Sequence, residues 1–420
     1  MKLVNRRQPL FSLIFFFFAV CVISSAKSED MVTGDNWVQF LGPKSLNQHK
    51  SSDIATEWSE NKNITWKTDI PGEGFSSPVI FGTQVWVTTA LDKGHIRKAI
   101  CLDKKSGKVI HDILLLKTDN PIEKHKTNSH ASPTPTIDEG HLYVSFGSEG
   151  TYCVDTKTGK IIWKNLDIQV DHSRGAGSSI VLYKDSVLFH FDGIDHQFVL
   201  ALYKDTGKIK WKTARSGDLK KIADDKRKAY STPFVSKIGK HDRLISLGAH
   251  YLYCYDPNNG KEIWQYSFKG FSNASVPRHV NKHIIFSTGF GTASYIAIKE
   301  DGSEKAWEYN KSVPKLMTPC AVDDKLYFGY ESSFVSCINI NTGENVWKQR
   351  LKGGFYASPL SIGDKLYFFN DSGECYILKP GDSYNELHVN TLDSGCKATP
   401  AISGKALYVR TLKALYRIEN

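Results

Sequence analysis

The stretch TYCVDTKTGKIIWK, residues 151 to 164, has an apolar run on each side of a polar turn that contains Gly159. Apolar runs of this length around a glycine turn are typical of a β-hairpin. The same pattern, a turn glycine followed four or five residues later by tryptophan, recurs along the chain. The pairs are Gly159 and Trp163, Gly207 and Trp211, Gly260 and Trp264, Gly302 and Trp307, and Gly343 and Trp347.

Two further turns keep only part of this pattern. Gly107 is followed by His111 in place of tryptophan, and Gly381 has no aromatic residue at that position. The spacing between successive turn glycines ranges from 38 residues, between Gly343 and Gly381, to 53 residues, between Gly207 and Gly260. A repeat of this length indicates a propeller or a solenoid rather than a chain of unrelated domains.

Each repeat also contains two apolar runs upstream of the turn, such as HLYVSFG or KLYFFN. Most of these runs follow a Ser-Pro or Thr-Pro dipeptide, at Ser77-Pro78, Ser132-Pro133, Thr232-Pro233, Thr318-Pro319, Ser358-Pro359 and Thr399-Pro400. Short runs rich in aromatic and β-branched residues are typical of strands. Each repeat is therefore predicted to form four strands.

An eighth repeat is incomplete. After Thr399-Pro400 only two apolar runs remain, whereas the early stretch ITWKTDI, which contains Trp66, precedes the first complete repeat. We predict an all-β fold, an eight-bladed β-propeller of four-stranded antiparallel blades over residues 61–420, whose last blade is closed by this N-terminal strand. Closure of this kind leaves no open sheet edge in the ring. The repeated tryptophans are predicted to pack between neighbouring blades.

The N-terminus has the layout of a secretory signal peptide. Two arginines precede an apolar run from Leu10 to Ile23, and small residues follow before Lys27. The run is too short for a typical membrane-spanning helix. We predict a signal peptide over residues 1–26, an N-terminal extension over 27–60, and a mature protein in the periplasm or cell envelope. Lipid modification at Cys21 is the alternative, although Val20 before it is a poor match.

Cysteines of an exported protein are candidates for disulfide bonds. Five of them lie six residues before the turn glycine of their own repeat, at Cys101, Cys153, Cys254, Cys337 and Cys375. Equivalent positions of different blades lie too far apart for a disulfide. We predict that these five are small core residues on the third strand of each blade. Nothing in the sequence pairs the remaining Cys320 and Cys396.

The chain is basic, with 54 lysines and arginines against 44 acidic residues and a net charge of +10. This charge permits contact with anionic partners. The densest basic run, residues 218–228, contains three aspartates and no interleaved aromatic residues. We therefore predict a solvated loop there and no nucleic-acid partner.

The repeated unit DxxTGKxxW with its Ser/Thr-Pro start resembles the pyrroloquinoline-quinone (PQQ) type β-propeller repeat. NWVQFLGP, residues 36–43, is similar to the opening of exported bacterial proteins built only of such repeats. The resemblance covers residues 36–420. The same repeat occurs in quinoprotein dehydrogenases and in non-catalytic scaffolds such as BamB of the outer-membrane assembly machinery, so the fold alone does not determine the function.

The resemblance to quinoprotein dehydrogenases implies an adjacent Cys-Cys pair over the quinone, a calcium site and often a haem motif. This sequence has no Cys-Cys dipeptide and no Cys-x-x-Cys-His. It also lacks a phosphate loop, a nucleophile elbow and a zinc-protease helix motif. We expect no catalytic residues, no bound cofactor and a non-catalytic scaffold. A PQQ-dependent oxidoreductase is the alternative.

The stretch LFHFDGIDHQF at residues 188–198 contains two histidines and two aspartates close together. Strand alternation places His190 and Asp192 on one face, and Asp195 and His196 follow across a turn at Gly193. Two histidines and two carboxylates could hold a metal ion. The alternative, which we favour, is a turn next to a half-buried structural histidine, so we predict no metal site.

Propellers bind ligands where the segments that enter the innermost strands converge at one end of the channel. The polar and aromatic residues predicted at this mouth are His130, His172, Arg174, Asp192, Tyr230, His250, Arg278, Tyr356 and Lys397. Such residues suit an anionic or sugar-like ligand through charge-assisted hydrogen bonds and stacking. An envelope protein is the other predicted partner, and an unspecialised polar surface is the alternative to both.

Overall fold

Eight antiparallel sheets arranged as the blades of a propeller form the fold of the computed structural model, which describes residues 35–51, 53–291 and 293–420. The predicted eight-bladed all-β architecture is confirmed. The signal peptide and Cys21 lie outside the described residues. Four short 3-10 helices, and no α-helix, occur in the described ranges: Pro43–Ser45, Asp92–Gly94, Gly147–Glu149 and Asp224–Lys226.

Blades 1 to 7 each consist of four consecutive strands that pair in chain order, with the first strand innermost. Blade 1 comprises β3 (Val79–Phe81), β4 (Gln84–Leu91), β5 (Ile96–Asp103) and β6 (Val109–Lys117), and blade 2 comprises β7 (Thr136–Asp138), β8 (His141–Ser145), β9 (Thr151–Asp155) and β10 (Ile161–Asn165). Blade 3 comprises β11 (Val181–Tyr183), β12 (Ser186–Asp192), β13 (Gln197–Tyr203) and β14 (Ile209–Ala214). Blade 4 comprises β15 (Phe234–Ile238), β16 (His241–Leu247), β17 (Tyr251–Tyr255) and β18 (Glu262–Ser267).

Blades 5 to 7 repeat this order. Blade 5 comprises β19 (Arg278–Val280), β20 (His283–Ser287), β21 (Tyr295–Lys299) and β22 (Lys305–Tyr309). Blade 6 comprises β23 (Cys320–Val322), β24 (Lys325–Tyr330), β25 (Phe334–Asn339) and β26 (Asn345–Arg350). Blade 7 comprises β27 (Leu360–Ile362), β28 (Lys365–Phe369), β29 (Glu374–Leu378) and β30 (Glu386–Thr391).

Blade 8 joins the two ends of the described chain. Its inner strands β31 (Ala401–Ser403), β32 (Ala406–Arg410) and β33 (Ala414–Ile418) are followed by β2 (Ile64–Asp69), which pairs antiparallel with β33. Trp66 lies opposite Arg417 in this pairing. The predicted closure by an N-terminal strand is confirmed, and the ring is complete because β3 of blade 1 contacts β31 of blade 8.

The repeated tryptophans lie between neighbouring blades, as predicted. The Trp163 indole of blade 2 donates a hydrogen bond to the Lys204 carbonyl in the turn of blade 3, with Nε1 and O 2.8 Å apart. Trp66, Trp307 and Trp347 make the corresponding bond to the next blade. This hydrogen bond occurs at four blade interfaces of the described chain, where it links the outer strand of one blade to the last turn of the next.

The cysteines contribute to the core. All seven cysteines of the described residues are buried and free. Five of them lie on third strands, as predicted, and Cys320 and Cys396 are buried without a disulfide. Burial raises the pKa of the Cys101 and Cys254 thiols, so these groups are neutral at physiological pH.

The segment of residues 35–49 crosses the inside of the ring. Trp37 exchanges two backbone hydrogen bonds with Ile80 of blade 1, and the Val38 carbonyl accepts from the Ile137 amide of blade 2. On the opposite side, Ser45 and Asn47 accept hydrogen bonds from Arg278 of blade 5, and β1 (Gln48–His49) then pairs parallel with β27 of blade 7. Contacts on opposite sides of the ring show that this segment, which we call the channel strap, crosses the central channel.

Candidate functional site

A cavity of about 280 Å³ lies in the central channel. Every blade contributes at least one lining residue from the segment that enters its innermost strand, and one residue per blade forms a ring: Phe75, Ser132, Gly177, Tyr230, Ala274, Leu316, Tyr356 and Lys397. We call these eight residues the mouth ring. Phe40 of the channel strap also lines the cavity, so the strap forms its floor.

A second ring of residues lies two positions further along each entering segment. Its members are Ser77, Thr134, Ser179, Thr232, Val276, Thr318, Ser358 and Thr399, and we call them the hydroxyl belt. The amide of one member donates to the side-chain hydroxyl of the next blade's member, for example Ser358 N to Thr399 Oγ1 at 3.0 Å. Six such bonds join neighbouring blades. In blade 2 the belt residue is Thr134, which precedes Pro135. The dipeptide Ser132-Pro133, which the sequence pattern placed before the inner strand of this blade, therefore lies two residues before the belt position.

Aromatic rings and lysines are paired around the cavity. Lys397 Nζ lies 4.8 Å from the ring centre of Phe75 and 5.3 Å from that of Tyr356. Lys315 Nζ lies 5.1 Å from the ring of Phe290. Cations at this distance are attracted by the ring face. The lysines are thus held beside the rings that line the cavity.

The wall contributed by blades 2 and 3 is polar. It presents His125, Asn128 and the exposed Arg174. Burial and the nearby charges of Arg174 and Lys126 lower the pKa of His125, so its imidazole is neutral at physiological pH. Asp225 is the one carboxylate among the lining residues of the described chain. The cavity therefore combines two cations, Arg174 and Lys397, with a single anion.

Four of the nine residues predicted at the mouth line this cavity: Arg174, Tyr230, Tyr356 and Lys397. Burial raises the pKa of the Tyr230 and Tyr356 phenols, so both stay protonated. The other five predicted residues lie elsewhere, and each has a structural contact instead. These five residues do not line the cavity, and their role in ligand binding stays a prediction.

The three histidines lie behind the cavity wall. His172 is buried, and its Nε2 accepts a hydrogen bond from the Ser148 amide at 3.1 Å. His130 packs against Arg97, whose NH2 is 3.2 Å from its Nδ1. Burial lowers the pKa of both imidazoles to about 4, assisted at His130 by the Arg97 charge. His250 stacks on Phe271, so it supports a lining residue without lining the cavity itself.

Asp192 belongs to a buried ion pair. Its Oδ1 accepts from Arg215 Nε at 2.6 Å, and its Oδ2 lies 3.9 Å from His190 Nε2. Asp195 and His196 instead bond to each other at 3.0 Å on the exposed side of the turn. The two halves of the sequence cluster do not converge. No group of three His, Cys, Asp or Glu side chains in the described ranges is placed to hold a metal ion.

Arg278 lies at the strap and not at the mouth. Its guanidinium is buried and donates to the carbonyl oxygens of Pro319 and Ser45 and to Asn47 Oδ1. Burial lowers its pKa to about 10, which still leaves it charged at physiological pH. Arg278 therefore holds the channel strap in the ring, a role that its position after Pro277 did not indicate.

The sequence interpretation missed Phe75, Phe40, Phe271, Phe290 and His125 as lining residues. A signal for the mouth ring was present, because every member lies two residues before a belt position. Residues i and i+2 of an extended segment point the same way. Phe75 before Ser77 therefore matches Tyr356 before Ser358. Phe271, Phe290 and Phe40 come from other segments, and no local pattern identifies them.

The residues around the cavity do not fit a quinone cofactor together with its metal ion. Asp225, the one lining carboxylate of the described residues, is an exposed side chain in the 3-10 helix Asp224–Lys226. The buried cysteines of the described residues are absent from the lining, so no sulfur lies over the cavity.

Comparisons with known proteins agree with the fold. A protein-family model described as "Outer membrane protein assembly factor BamB" matches residues 95–213 and 195–419. The outer membrane protein assembly factor BamB of Moranella endobia is 20% identical over 301 residues, which cover 71% of this chain and 70% of that protein. A crystal structure of BamB from Moraxella catarrhalis superposes with a TM-score of 0.62 at 12% identity, covering 85% of this chain and 97% of that one.

An enzyme is also similar to part of the chain. The quinoprotein ethanol dehydrogenase of Pseudomonas aeruginosa is 30% identical over 147 residues, or 31% of this chain. The match covers only 22% of that enzyme. Within the described ranges, no helix has the length and apolar character needed to cross a membrane. With eight PQQ-like blades and a family match that extends over residues 95–419, the chain belongs to the β-propeller family described as outer membrane protein assembly factor BamB.

Proposed function

We propose that this chain is an exported, non-catalytic scaffold of the cell envelope that binds an anionic partner or ligand at the mouth of its channel. The observation that carries this proposal is the cavity, which is floored by Phe40 of the channel strap and walled by aromatic rings together with Arg174 and Lys397. Rings and cations arranged in this way suit negatively charged groups with an apolar or planar body.

The chemistry of the lining supports binding rather than catalysis. The lining carboxylate Asp225 is exposed in the 3-10 helix Asp224–Lys226, and the lining hydroxyls of the belt accept backbone hydrogen bonds. One lining hydroxyl lies beside a base, since Thr127 Oγ1 is 2.8 Å from His125 Nδ1. Nucleophilic catalysis also requires that a third group orient the base, and the described residues offer His125 Nε2 no hydrogen-bond partner. The names of the relatives support a protein partner, since the matching family and one relative are described as outer membrane protein assembly factors.

A test of this function is co-purification from an envelope extract of the producing cells. The wild-type protein is expected to recover subunits of the outer-membrane assembly machinery, identified by mass spectrometry. The double variant Arg174→Glu, Lys397→Glu is expected to recover about tenfold less, because it reverses both lining cations. Lys240→Glu is the matched control, since Lys240 is exposed in the β15–β16 turn, away from the cavity lining. Equal recovery by wild type and double variant would count against the proposal.

The alternative function is that of a PQQ-dependent oxidoreductase. The partial identity to quinoprotein ethanol dehydrogenase favours it. Dye-linked dehydrogenase activity after addition of PQQ and calcium separates the two functions, because a scaffold has no turnover under any of these conditions.

A further inference from the structure

The hydroxyl belt presents donors to the floor of the cavity. Thr134, Ser179, Thr232, Ser358 and Thr399 line it, and each has an exposed fraction of at most 3%. Each Oγ already accepts one amide hydrogen from the preceding blade, as Thr399 does from Ser358. No acceptor for the hydroxyl hydrogens of these five residues is found among the described residues.

This arrangement makes the belt a set of donors rather than acceptors. A hydroxyl has one hydrogen to donate, and an amide that donates to its oxygen polarises it further. Ser358 and Thr399 belong to the neighbouring blades 7 and 8, so their hydroxyl hydrogens can reach one group in the cavity. A group that accepts several O–H hydrogen bonds from one side is most naturally an anion.

The charge of the cavity favours an anion. Arg174 and Lys397 are the lining cations, Asp225 is the lining anion, and Lys315 lies beside the lining ring of Phe290, so cations outnumber carboxylates there. A carboxylate on an apolar or aromatic body fits this combination of cations and rings. The body of the ligand then faces Phe75 and Tyr356, whose rings stand above the belt.

We propose that the cavity binds a small monocarboxylate with an apolar or aromatic body, with its carboxylate at the hydroxyl belt. This inference rests on the proposed binding role of the mouth and names the ligand class for it. The aromatic wall contacts the body, and Lys397, which lies two residues before the belt residue Thr399, contributes the charge of a lining lysine.

The test is isothermal titration calorimetry of the purified protein with 3-phenylpropionate and with 3-phenylpropanamide. The two probes have the same body and differ in charge at the head group. At low salt the acid is expected to bind about tenfold more tightly than the amide, and its affinity is expected to fall as salt is added. Binding weaker than about 10 mM for the acid, or equal affinity for acid and amide, would overturn the proposal.

Belt variants locate the head group. Thr399→Val removes a lining hydroxyl with little change of shape and is expected to weaken acid binding about tenfold, the typical loss of a hydrogen bond to a charged group. Thr318→Val is the matched control, because Thr318 makes the same belt bond but does not line the cavity. Blade 5 already has Val276 at this position, so the fold accommodates valine in the belt.

The outcomes are separable from those of the proposed scaffold function. Equal loss of binding in Thr399→Val and Thr318→Val, at matched melting temperatures, would contradict a carboxylate at the belt. Acid-selective binding without recovery of assembly subunits would leave the ligand class intact and remove the protein partner. Recovery of those subunits without acid-selective binding would leave the protein partner intact and overturn the proposed ligand class.

Discussion

Gly207 lies directly against the indole of Trp163, the tryptophan of the preceding blade. A Cβ atom built on Gly207 would be 2.4 Å from Trp163 Cε3, closer than any real contact of this kind. Gly207 also has a φ of 66°, in the left-handed region that favours glycine. The turn glycine and the tryptophan after it thus serve different interfaces. Five turn glycines pack against the tryptophan of the preceding blade: Gly107, Gly207, Gly260, Gly302 and Gly343. Gly159 packs against His111, which takes the place of that tryptophan.

Gly207→Ala is expected to lower the free energy of unfolding by about 3 kcal/mol, since it combines backbone strain with a collision at the blade interface. Gly239→Ala is the control, because Gly239 has a φ of 59° and no heavy atom within 4 Å of a built Cβ. The control is expected to cost about 1 kcal/mol. Urea unfolding of both variants measures the difference, and equal costs would contradict the packing argument.

Arg278→Met is expected to loosen the channel strap. The substitution keeps the side chain long but leaves the carbonyl of Ser45 and Asn47 Oδ1 without their buried donor. The expected cost is about 3 kcal/mol. Amide hydrogen exchange should become faster in residues 36–49 than elsewhere. Arg243→Met, at a half-buried arginine on β16, is the control, and unchanged exchange in the strap would contradict the role assigned to Arg278.

The buried His172 is expected to make the folded protein less stable in acid. Its folded pKa of about 4 lies below the ordinary value of 6.5, because burial disfavours the imidazolium and Nε2 accepts the Ser148 amide. Below pH 6.5 the unfolded chain therefore binds a proton that the folded chain does not, and stability falls until about pH 4. The contribution is about 2 kcal/mol between pH 7 and pH 5.

His172→Gln should reduce this loss, because glutamine does not titrate and its carbonyl can accept the same amide. Urea unfolding at pH 7 and pH 5 measures the effect. His241→Gln, at an exposed histidine, is the control. An acid-induced loss that is the same in His172→Gln and in the wild type would show that other groups cause it.

Addition of PQQ and calcium is expected to produce no oxidation of alcohols or sugars. The cavity has no buried carboxylate in its described lining and no sulfur above it, so nothing there fixes a metal beside a quinone. Reduction of an artificial electron acceptor is the measurement. Activity that depends on PQQ and disappears in Lys397→Ala or Tyr356→Ala would contradict this expectation and favour the oxidoreductase.

The sequence alone determined the repeat, the number of blades and the closure of the ring. Each of these depends on local patterns that recur in most repeats: a left-handed turn at glycine, a tryptophan on the fourth strand, and a short inner strand after a hydroxyl residue. The closing strand was predictable because Ile64–Asp69 carries Trp66 at the position that blade 8 lacks. Local patterns of this kind act over a few residues, so they can be read without knowing the tertiary structure.

Only the tertiary structure decided which polar residues meet at the channel. Lys397 lies two residues before its belt position and Arg278 two residues after, so alternation directs both toward the axis. At about 3.3 Å per residue, however, they differ in depth by roughly 13 Å. The channel strap occupies the deeper level, and it contacts blades that are more than 200 residues away in sequence. Because no local pattern encodes the path of the strap, the sequence could not distinguish a residue of the mouth from a residue that holds the strap.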